Sequence, residues 1–188
     1  MKGVMNRAMG GPPLENSYWV VPGLFLAGQY PGALDPRELE AKLNRLLDAG
    51  IRMVLNLMEP GEVNWDGVPF APYEERLREL ALARGSEVET VRLAVRDMDV
   101  PSRAMMTDIL DLVERCLDGQ APVFVHCLGG RGRTGTVAGC FLRRRNLAGP
   151  GEVLDRLREL RQKGRNTVGD SPETRAQREL VVTWAAGE

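Results

Sequence analysis

The chain has 188 residues, of which 43% are hydrophobic and 27% are charged, and its formal net charge is −1. These values are typical of one globular domain with a substantial core, and they give no bulk attraction to nucleic acid or to a membrane surface. Three scattered cysteines exclude a disulfide framework, and a single histidine excludes a cluster of histidine ligands, so we expect no metal and no cofactor.

No hydrophobic stretch approaches the roughly 20 apolar residues of a transmembrane helix, and the first residues lack the apolar run of a signal peptide. We therefore expect a cytoplasmic protein without stable membrane association, in a compartment that keeps a reactive thiol reduced. Residues 1–16 are expected to form a flexible lead-in, and residues 17–188 a single domain. The sequence leaves the oligomeric state open.

Hydrophobic periodicity and capping residues predict alternating strands and helices after the lead-in. The predicted strands cover residues 18–21, 24–27, 51–57, 88–94 and 122–126. The predicted helices cover residues 36–49, 72–84, 103–118, 134–146, 153–160 and 172–185. Asp35 is expected to cap the first helix in a capping box with Glu38, and Ser171 to cap the last helix. The pattern indicates an α/β fold with a mainly parallel, twisted central sheet that is covered by helices on both faces.

The last predicted strand runs into a glycine-rich loop between Cys127 and Arg133, and Thr134 follows as the start of a helix. The loop glycines allow backbone N–H groups to line a concavity at a helix N-terminus, which suits an anion. They are Gly129, Gly130 and Gly132. The helix end and a nearby guanidinium both favour a thiolate at Cys127, and Arg133 can bind two oxygens of one phosphate group. The loop lies at the carboxyl end of its strand, where open α/β sheets bind ligands. This arrangement indicates phosphoryl transfer to sulfur.

The pattern His126-Cys127-x5-Arg133-Thr134-Gly135 resembles the signature loop of the cysteine-dependent protein tyrosine phosphatases. With the loop glycines it is most similar to the compact dual-specificity branch, especially its kinase-associated-phosphatase-like members. The resemblance implies Cys127 as the nucleophile that forms a phosphocysteine intermediate, and Thr134 as a hydrogen-bond donor to the departing thiolate. It also implies a phosphate-binding loop that consists of Leu128, Gly129, Gly130, Arg131, Gly132 and Arg133.

Attack by sulfur on a phosphate ester expels a poor leaving group, so a general acid is needed at the same edge of the sheet. Asp97 and Asp99 follow a predicted strand and precede Pro101. In the related phosphatases the acid is an Asp that lies four residues before a Pro, and Asp97 matches this offset. We therefore predict Asp97 as the acid, which then acts as the base for water, with Asp99 as the alternative. A further alternative is that both are solvated loop residues.

Three other residues leave alternatives open. His126 is expected to bond to the backbone around Cys127 rather than to act as a base. Gln177 lies in a segment that resembles a C-terminal segment of the kinase-associated-phosphatase-like branch, where it either touches the loop, orients water, or is an exposed helix residue. Arg131 either favours a more anionic substrate, or points to solvent or pairs with a carboxylate. Leu128 argues against the first option, because many lipid-directed relatives are basic there.

We interpret the chain as a phosphatase for phosphotyrosine, with phosphoserine and phosphothreonine as further substrates. Its partner would be a phosphorylated protein or peptide. The first alternative is a phosphatase for phosphoinositides or another small polyanion, suggested by Arg131. The second is a phosphate-binding module that has lost turnover.

Overall fold

The computed structural model describes residues 11–64, 66–164 and 169–188. In these residues the strands are β1 Ser17–Val21, β2 Phe25–Gln29, β3 Met53–Asn56, β4 Glu89–Arg92 and β5 Val123–Cys127. The helices are α1 Pro36–Asp48, α2 Glu74–Ala83, α3 Arg103–Asp118, α4 Gly132–Arg144, α5 Val153–Lys163 and α6 Arg175–Thr183. Strands and helices occur in the predicted order; β3 and β4 are shorter than predicted at both ends, and β5 is displaced by one residue toward the C-terminus.

The five strands form one sheet in the order β1-β2-β5-β3-β4. β1 and β2 are antiparallel, whereas the pairs β2–β5, β5–β3 and β3–β4 are parallel. The prediction of a mainly parallel sheet is confirmed. β5 is the central strand and lies between β2 and β3. Because all three strands are parallel, the loop after β5 lies between the loops that follow β2 and β3.

Helices cover both faces of the sheet, as the sequence pattern predicted. Alternate residues of β5 enter different cores, because side chains in a strand point to opposite faces in turn. Val123 and Val125 belong to the larger apolar cluster, which contains residues of α3, α4, α5 and α6. Phe124 belongs to the smaller cluster, which contains residues of α1 and α2. The central strand is therefore fully buried, and its β-branched and aromatic composition reflects burial on both faces.

Helix α4 is surrounded by protein over most of its length. Every residue from Gly132 to Leu142 is buried, because α4 packs on the sheet, α3, α5 and α6. The helix begins at Gly132, earlier than the predicted start at Thr134, so Arg133 lies in its first turn. The side chain that ends the Cys127 loop is thus fixed by a buried helix.

The predicted cap of the last helix is wrong. Thr174, not Ser171, is the N-cap of α6, and its side chain accepts a hydrogen bond from the backbone N–H of Gln177 at 3.2 Å. The Ser171 hydroxyl instead donates to the backbone carbonyl of Arg131 at 2.9 Å. At α1 the predicted cap Asp35 accepts from Glu38 N at 2.8 Å, while the Glu38 carboxylate lies 2.7 Å from Lys42 Nζ.

Most of the predicted lead-in, residues 1–10, lies outside the described residues. Within residues 11–16, Leu14 is buried in the smaller apolar cluster, and its carbonyl accepts a hydrogen bond from the Ser17 hydroxyl at 2.6 Å. In the described part of the chain, no helix combines the length and the apolar character that crossing a bilayer requires.

Gly139 lets α4 approach its neighbours closely, and this gives a stability prediction. A Cβ at this position would lie 2.6 Å from Val181 Cγ1 of α6 and 3.1 Å from Leu157 Cδ1 of α5. We expect Gly139→Ala to lower the free energy of unfolding by about 1–3 kcal/mol through overpacking, measured by urea denaturation. The same substitution in a Val181→Ala background should cost less, because the facing methyl groups are gone. A gain of about 0.5–1 kcal/mol, as at an uncrowded helix glycine, would contradict this packing.

Candidate active site

The loop between β5 and α4 is held by the backbones of both neighbouring strands. Cys127 is the last residue of β5 and is only 3% exposed. On one side Tyr30 N donates to Leu128 O at 3.1 Å, and on the other Leu57 N donates to His126 O at 2.9 Å. These hydrogen bonds fix the loop at the carboxyl end of the central strand.

Two of the loop glycines are required by their surroundings. Gly130 has a φ of +67°, and a Cβ there would lie 2.5 Å from the carbonyl carbon of Gly28 in β2. A Cβ at Gly132 would lie 2.7 Å from Glu173 Oε2 and 3.1 Å from the amide atoms of Gln177. Gly129 has open space around it. Gly130 therefore lets the loop pack against β2, and Gly132 makes room for the segment before α6.

Arg133 is a buried cation that contacts two other loops. Its side chain is 1% exposed; Nη1 donates to Val95 O at 3.0 Å, and both terminal nitrogens contact the Glu62 carboxylate, Nη2 at 3.1 Å from Oε2. Nη2 also lies 3.0 Å from Asp97 Oδ1. Burial lowers the pKa of Arg133, but the hydrogen bond to Glu62 and the charges of Cys127 and Asp97 outweigh it and raise the pKa above its usual value. Within the described residues Nε has no hydrogen-bond partner.

Glu62 was not identified from the sequence. It lies in the loop after β3, its side chain is 14% exposed, and Oε1 also accepts from Glu59 N at 2.7 Å. No short motif connects Glu62 to Arg133, which is 71 residues further along the chain. The available signal was its place in the loop that follows a strand next to β5, because such loops converge at one edge of a parallel sheet.

The structure brings Asp97, and not Asp99, to Arg133. The Asp97 side chain is 55% exposed, so its carboxylate meets both Arg133 and solvent at the mouth of the site. Asp99 turns its carboxylate to the loop itself, where Oδ1 accepts from Val100 N at 2.8 Å. Between them Met98 has a φ of +62°, which turns the chain sharply. This geometry favours Asp97 over Asp99 for proton transfer.

His126 is fully buried and lies between two oxygen atoms. Nε2 is 2.5 Å from the Tyr73 hydroxyl, and Nδ1 is 3.3 Å from the backbone carbonyl of Cys127. Burial lowers the pKa of His126 to about 4, and burial raises that of Tyr73. His126 is therefore neutral, with Tyr73 donating to Nε2 and Nδ1–H donating to Cys127 O. This arrangement orients the backbone at Cys127 and gives His126 no free nitrogen for proton transfer.

Thr134 and Arg131, which lie on either side of Arg133 in the sequence, both contact other protein residues. Thr134 is buried, and its Oγ1 lies 3.4 Å from Gly28 O, a long hydrogen bond. A bond from Thr134 to a thiolate stays a prediction. Arg131 forms an ion pair with Glu173, with 31% of the Arg131 side chain exposed. Of the alternatives for Arg131, pairing with a carboxylate is the one observed.

The interpretation of Gln177 as an exposed helix residue is wrong, because its side chain is fully buried. Oε1 accepts hydrogen bonds from the backbone N–H groups of Glu173 and Thr174, both at 3.1 Å. Nε2 donates to the backbone carbonyl of Asp99 at 3.0 Å. Gln177 therefore contacts the loop that carries Asp97.

A cavity of about 270 Å³ opens beside the site, next to Glu62. Aromatic side chains line it, including Tyr30 and Phe70, whose ring centroids are 5.1 Å apart. Its charged lining residues are Glu59, Glu62, Glu74 and Arg92. In the described part of the chain, no three His, Cys, Asp or Glu side chains are grouped so that they could hold a metal ion.

Two known proteins are similar to the chain in sequence. Cyclin-dependent kinase inhibitor 3 from Sus scrofa is 29% identical over 129 residues, which are 68% of this chain and 57% of the relative. Effector protein hopD2 from Pseudomonas syringae pv. tomato is 28% identical over 156 residues, covering 70% of this chain and 32% of the relative. The chain thus spans only part of the length of both relatives.

Solved structures share the fold. PTPMT1 in complex with PI(5)P has a TM-score of 0.66 at 19% identity, covering 90% of this chain and 94% of its own. Kinase associated phosphatase with its catalytic-site cysteine replaced by serine has a TM-score of 0.63 at 23% identity, covering 84% of this chain and 83% of its own.

A family model described as "Polymorphic toxin system, DSP-PTPase phosphatase" matches residues 32–146, a range that includes Asp97, Cys127 and Arg133. The match confirms the resemblance seen in the signature loop. The chain therefore belongs to this family, in the dual-specificity branch of the protein tyrosine phosphatases.

Proposed function

We propose that the chain hydrolyses phosphotyrosine in phosphorylated proteins or peptides through a phosphocysteine intermediate and without a metal. The observation that carries the proposal is the meeting of Cys127, Arg133 and Asp97 at the carboxyl end of β5. Asp97 Oδ1 lies 3.0 Å from Arg133 Nη2, and Arg133 lies close enough to Cys127 for a thiolate there to raise the pKa of Arg133. A nucleophile, a phosphate clamp and a proton donor are the groups that this reaction requires.

In the first step the Cys127 thiolate attacks phosphorus, the S–P bond forms and the bond from phosphorus to the leaving oxygen breaks. Asp97, in its protonated form, donates its proton to that oxygen, so tyrosine leaves as a neutral phenol. Arg133 binds the non-bridging oxygens and stabilises the charge of the transition state, together with the backbone N–H groups of residues 128–133. Arg133 Nε, which has no partner within the described residues, is suited to this contact.

In the second step water attacks the phosphocysteine. Asp97, now a carboxylate, takes a proton from the water as the O–P bond forms. The S–P bond breaks, phosphate leaves and the Cys127 thiolate is regenerated. Thr134, in the first turn of α4, is the proposed hydrogen-bond donor to this thiolate.

A peptide substrate is favoured over a small polyanion by the charges around the site. The cation suggested as a second anion contact, Arg131, is paired with Glu173. The adjoining cavity carries three carboxylates and one guanidinium among its ionisable lining residues. Glu62 and Glu74 are paired with Arg133 and Arg92, so the described lining residues offer no unpaired cation to additional phosphate groups, whereas the aromatic residues suit a peptide chain. Phosphoserine and phosphothreonine peptides are proposed as further substrates, and the expectation of a reducing compartment stays a prediction.

The proposal is tested by phosphate release in the presence of chelator from phosphotyrosyl, phosphothreonyl and phosphoseryl peptides and from phosphoinositides. We expect the highest kcat/KM on phosphotyrosyl peptides. Cys127→Ser should abolish turnover, because the serine hydroxyl is not ionised, while it retains binding of inorganic phosphate by calorimetry. Cys116→Ser is the matched control and should keep full activity, because Cys116 lies on α3 away from the loop.

Other outcomes separate the alternatives. A preference for phosphoinositides would move the chain to the polyanion alternative. Binding of phosphate without turnover on any substrate would leave the phosphate-binding module. Measurable turnover by Cys127→Ser would remove Cys127 as the nucleophile.

The role of Asp97 predicts a dependence on the leaving group. Asp97→Ala should lower kcat on phosphotyrosyl peptides by roughly 10²–10⁴-fold, because the phenolic oxygen then leaves without a proton. An activated aryl phosphate, whose leaving group needs no proton, should be affected far less. Asp99→Ala is the matched control and should show neither effect. If Asp99→Ala lowers kcat on phosphotyrosyl peptides selectively and Asp97→Ala does not, then Asp99 and not Asp97 is the general acid.

A further inference from the structure

We propose that Gln177 is a positioning residue for the general acid, which it holds in place through the backbone of the Asp97 loop. The inference rests on the proposed function, because it takes Asp97 as the acid. In this proposal Gln177 acts by a hydrogen bond to a backbone carbonyl of the loop, and not by orienting the water that attacks phosphorus.

The loop that carries Asp97 has few contacts with the rest of the protein. Asp97, Met98 and Asp99 are all exposed, and the hydrogen bond from Asp99 N to Arg96 O at 3.2 Å lies within the loop. Within the described residues, one ion pair and one side-chain hydrogen bond join residues 97–99 to other elements. One is the pair between Asp97 and Arg133, and the other is the hydrogen bond from Gln177 Nε2 to Asp99 O.

The Gln177 amide has one orientation, set by its partners. Oε1 must face the α6 N-terminus, because the two backbone groups there, from Glu173 and Thr174, are donors. This leaves Nε2 to face the carbonyl of Asp99, which is an acceptor. Since the Gln177 side chain is fully buried, its Nε2 cannot turn to solvent and is held to the carbonyl of Asp99.

Gln177 also touches the Cys127 loop. A Cβ at Gly132 would lie 3.1 Å from each of the two amide atoms of Gln177, so the amide packs directly against the first residue of α4. One buried side chain therefore spans the start of α6, the acid loop and the start of α4. This contact fixes the acid loop relative to the phosphate-binding loop before substrate binds. Proton transfer depends on that relative position, because the acid must lie within hydrogen-bond distance of the leaving oxygen.

The chain offers a substitution that removes one of these contacts and keeps the others. Gln177→Glu retains two acceptor oxygens for Glu173 N and Thr174 N, and a Thr-x-x-Glu sequence still forms a capping box. The carboxylate has no hydrogen to donate to Asp99 O and repels it. The variant thus releases the acid loop while α6 keeps its cap.

We expect Gln177→Glu to lower kcat on phosphotyrosyl peptide by about 10- to 100-fold, since a small misplacement of a catalytic group has effects of this size. The added negative charge beside Gly132 should weaken phosphate binding for all substrates alike, so the variants are compared by kcat at saturating substrate, where the rate on an activated aryl phosphate should change little. In an Asp97→Ala background, Gln177→Glu should cause no further loss. Equal losses on both substrates, or a full additional loss in the Asp97→Ala background, would show a merely structural role and overturn the proposal.

Gln162→Glu, which makes the same change at an exposed position of α5, is the control and should behave like the wild type. Hydrogen–deuterium exchange of residues 96–100 gives a readout that does not need activity. Exchange there should rise in Gln177→Glu and stay unchanged in Gln162→Glu. If the wild type shows no turnover, the proposed function fails, and the exchange result still decides whether Gln177 holds the loop.

Discussion

The structure around the Cys127 loop depends on the solvation of one buried charge, the guanidinium of Arg133. A cation that is 1% exposed must be compensated by protein groups, since removing one partner from a buried ion pair costs roughly 3–5 kcal/mol. The partners come from two other loops: Glu62 follows β3, and Asp97 and the Val95 carbonyl follow β4. Arg133, the proposed phosphate-binding residue, therefore also holds the loops after β3 and β4 together around the site.

Strand order explains why these loops are within reach. β5 lies between β2 and β3, and β4 is paired in parallel with β3, so the chain leaves all four strands at the same edge of the sheet. The side chains of β5 fill both cores, which prevents the strand from shifting its register. Because Cys127 is the last residue of β5, packing of the strand in both apolar clusters also fixes the position of Cys127.

Local patterns predicted the fold and the centre of the site, and contacts distant in sequence escaped prediction. The strand, the three glycines and Arg133 lie in one continuous segment whose chemistry depends on near neighbours. Glu62 is 71 residues from Arg133, and Gln177 is 78 residues from Asp99, so no spacing connects them. The prediction of Ser171 as the N-cap of α6 was wrong for the same reason. Ser171 and Thr174 were both suitable, and the distant Arg131 carbonyl took the Ser171 hydroxyl.

Arg131 shows that the charge of a site is a property of pairs of residues. Read alone, a second arginine in the loop suggests a more anionic substrate. In the fold, Glu173 comes from the segment before α6 and neutralises it, and Gly132 leaves the space in which that carboxylate sits. Within the described residues, the attraction for phosphate then rests mainly on Arg133 and the N-terminus of α4, and Glu62 and Asp97 already reduce it. This balance of charges supports the proposal of a substrate that carries a single phosphate group.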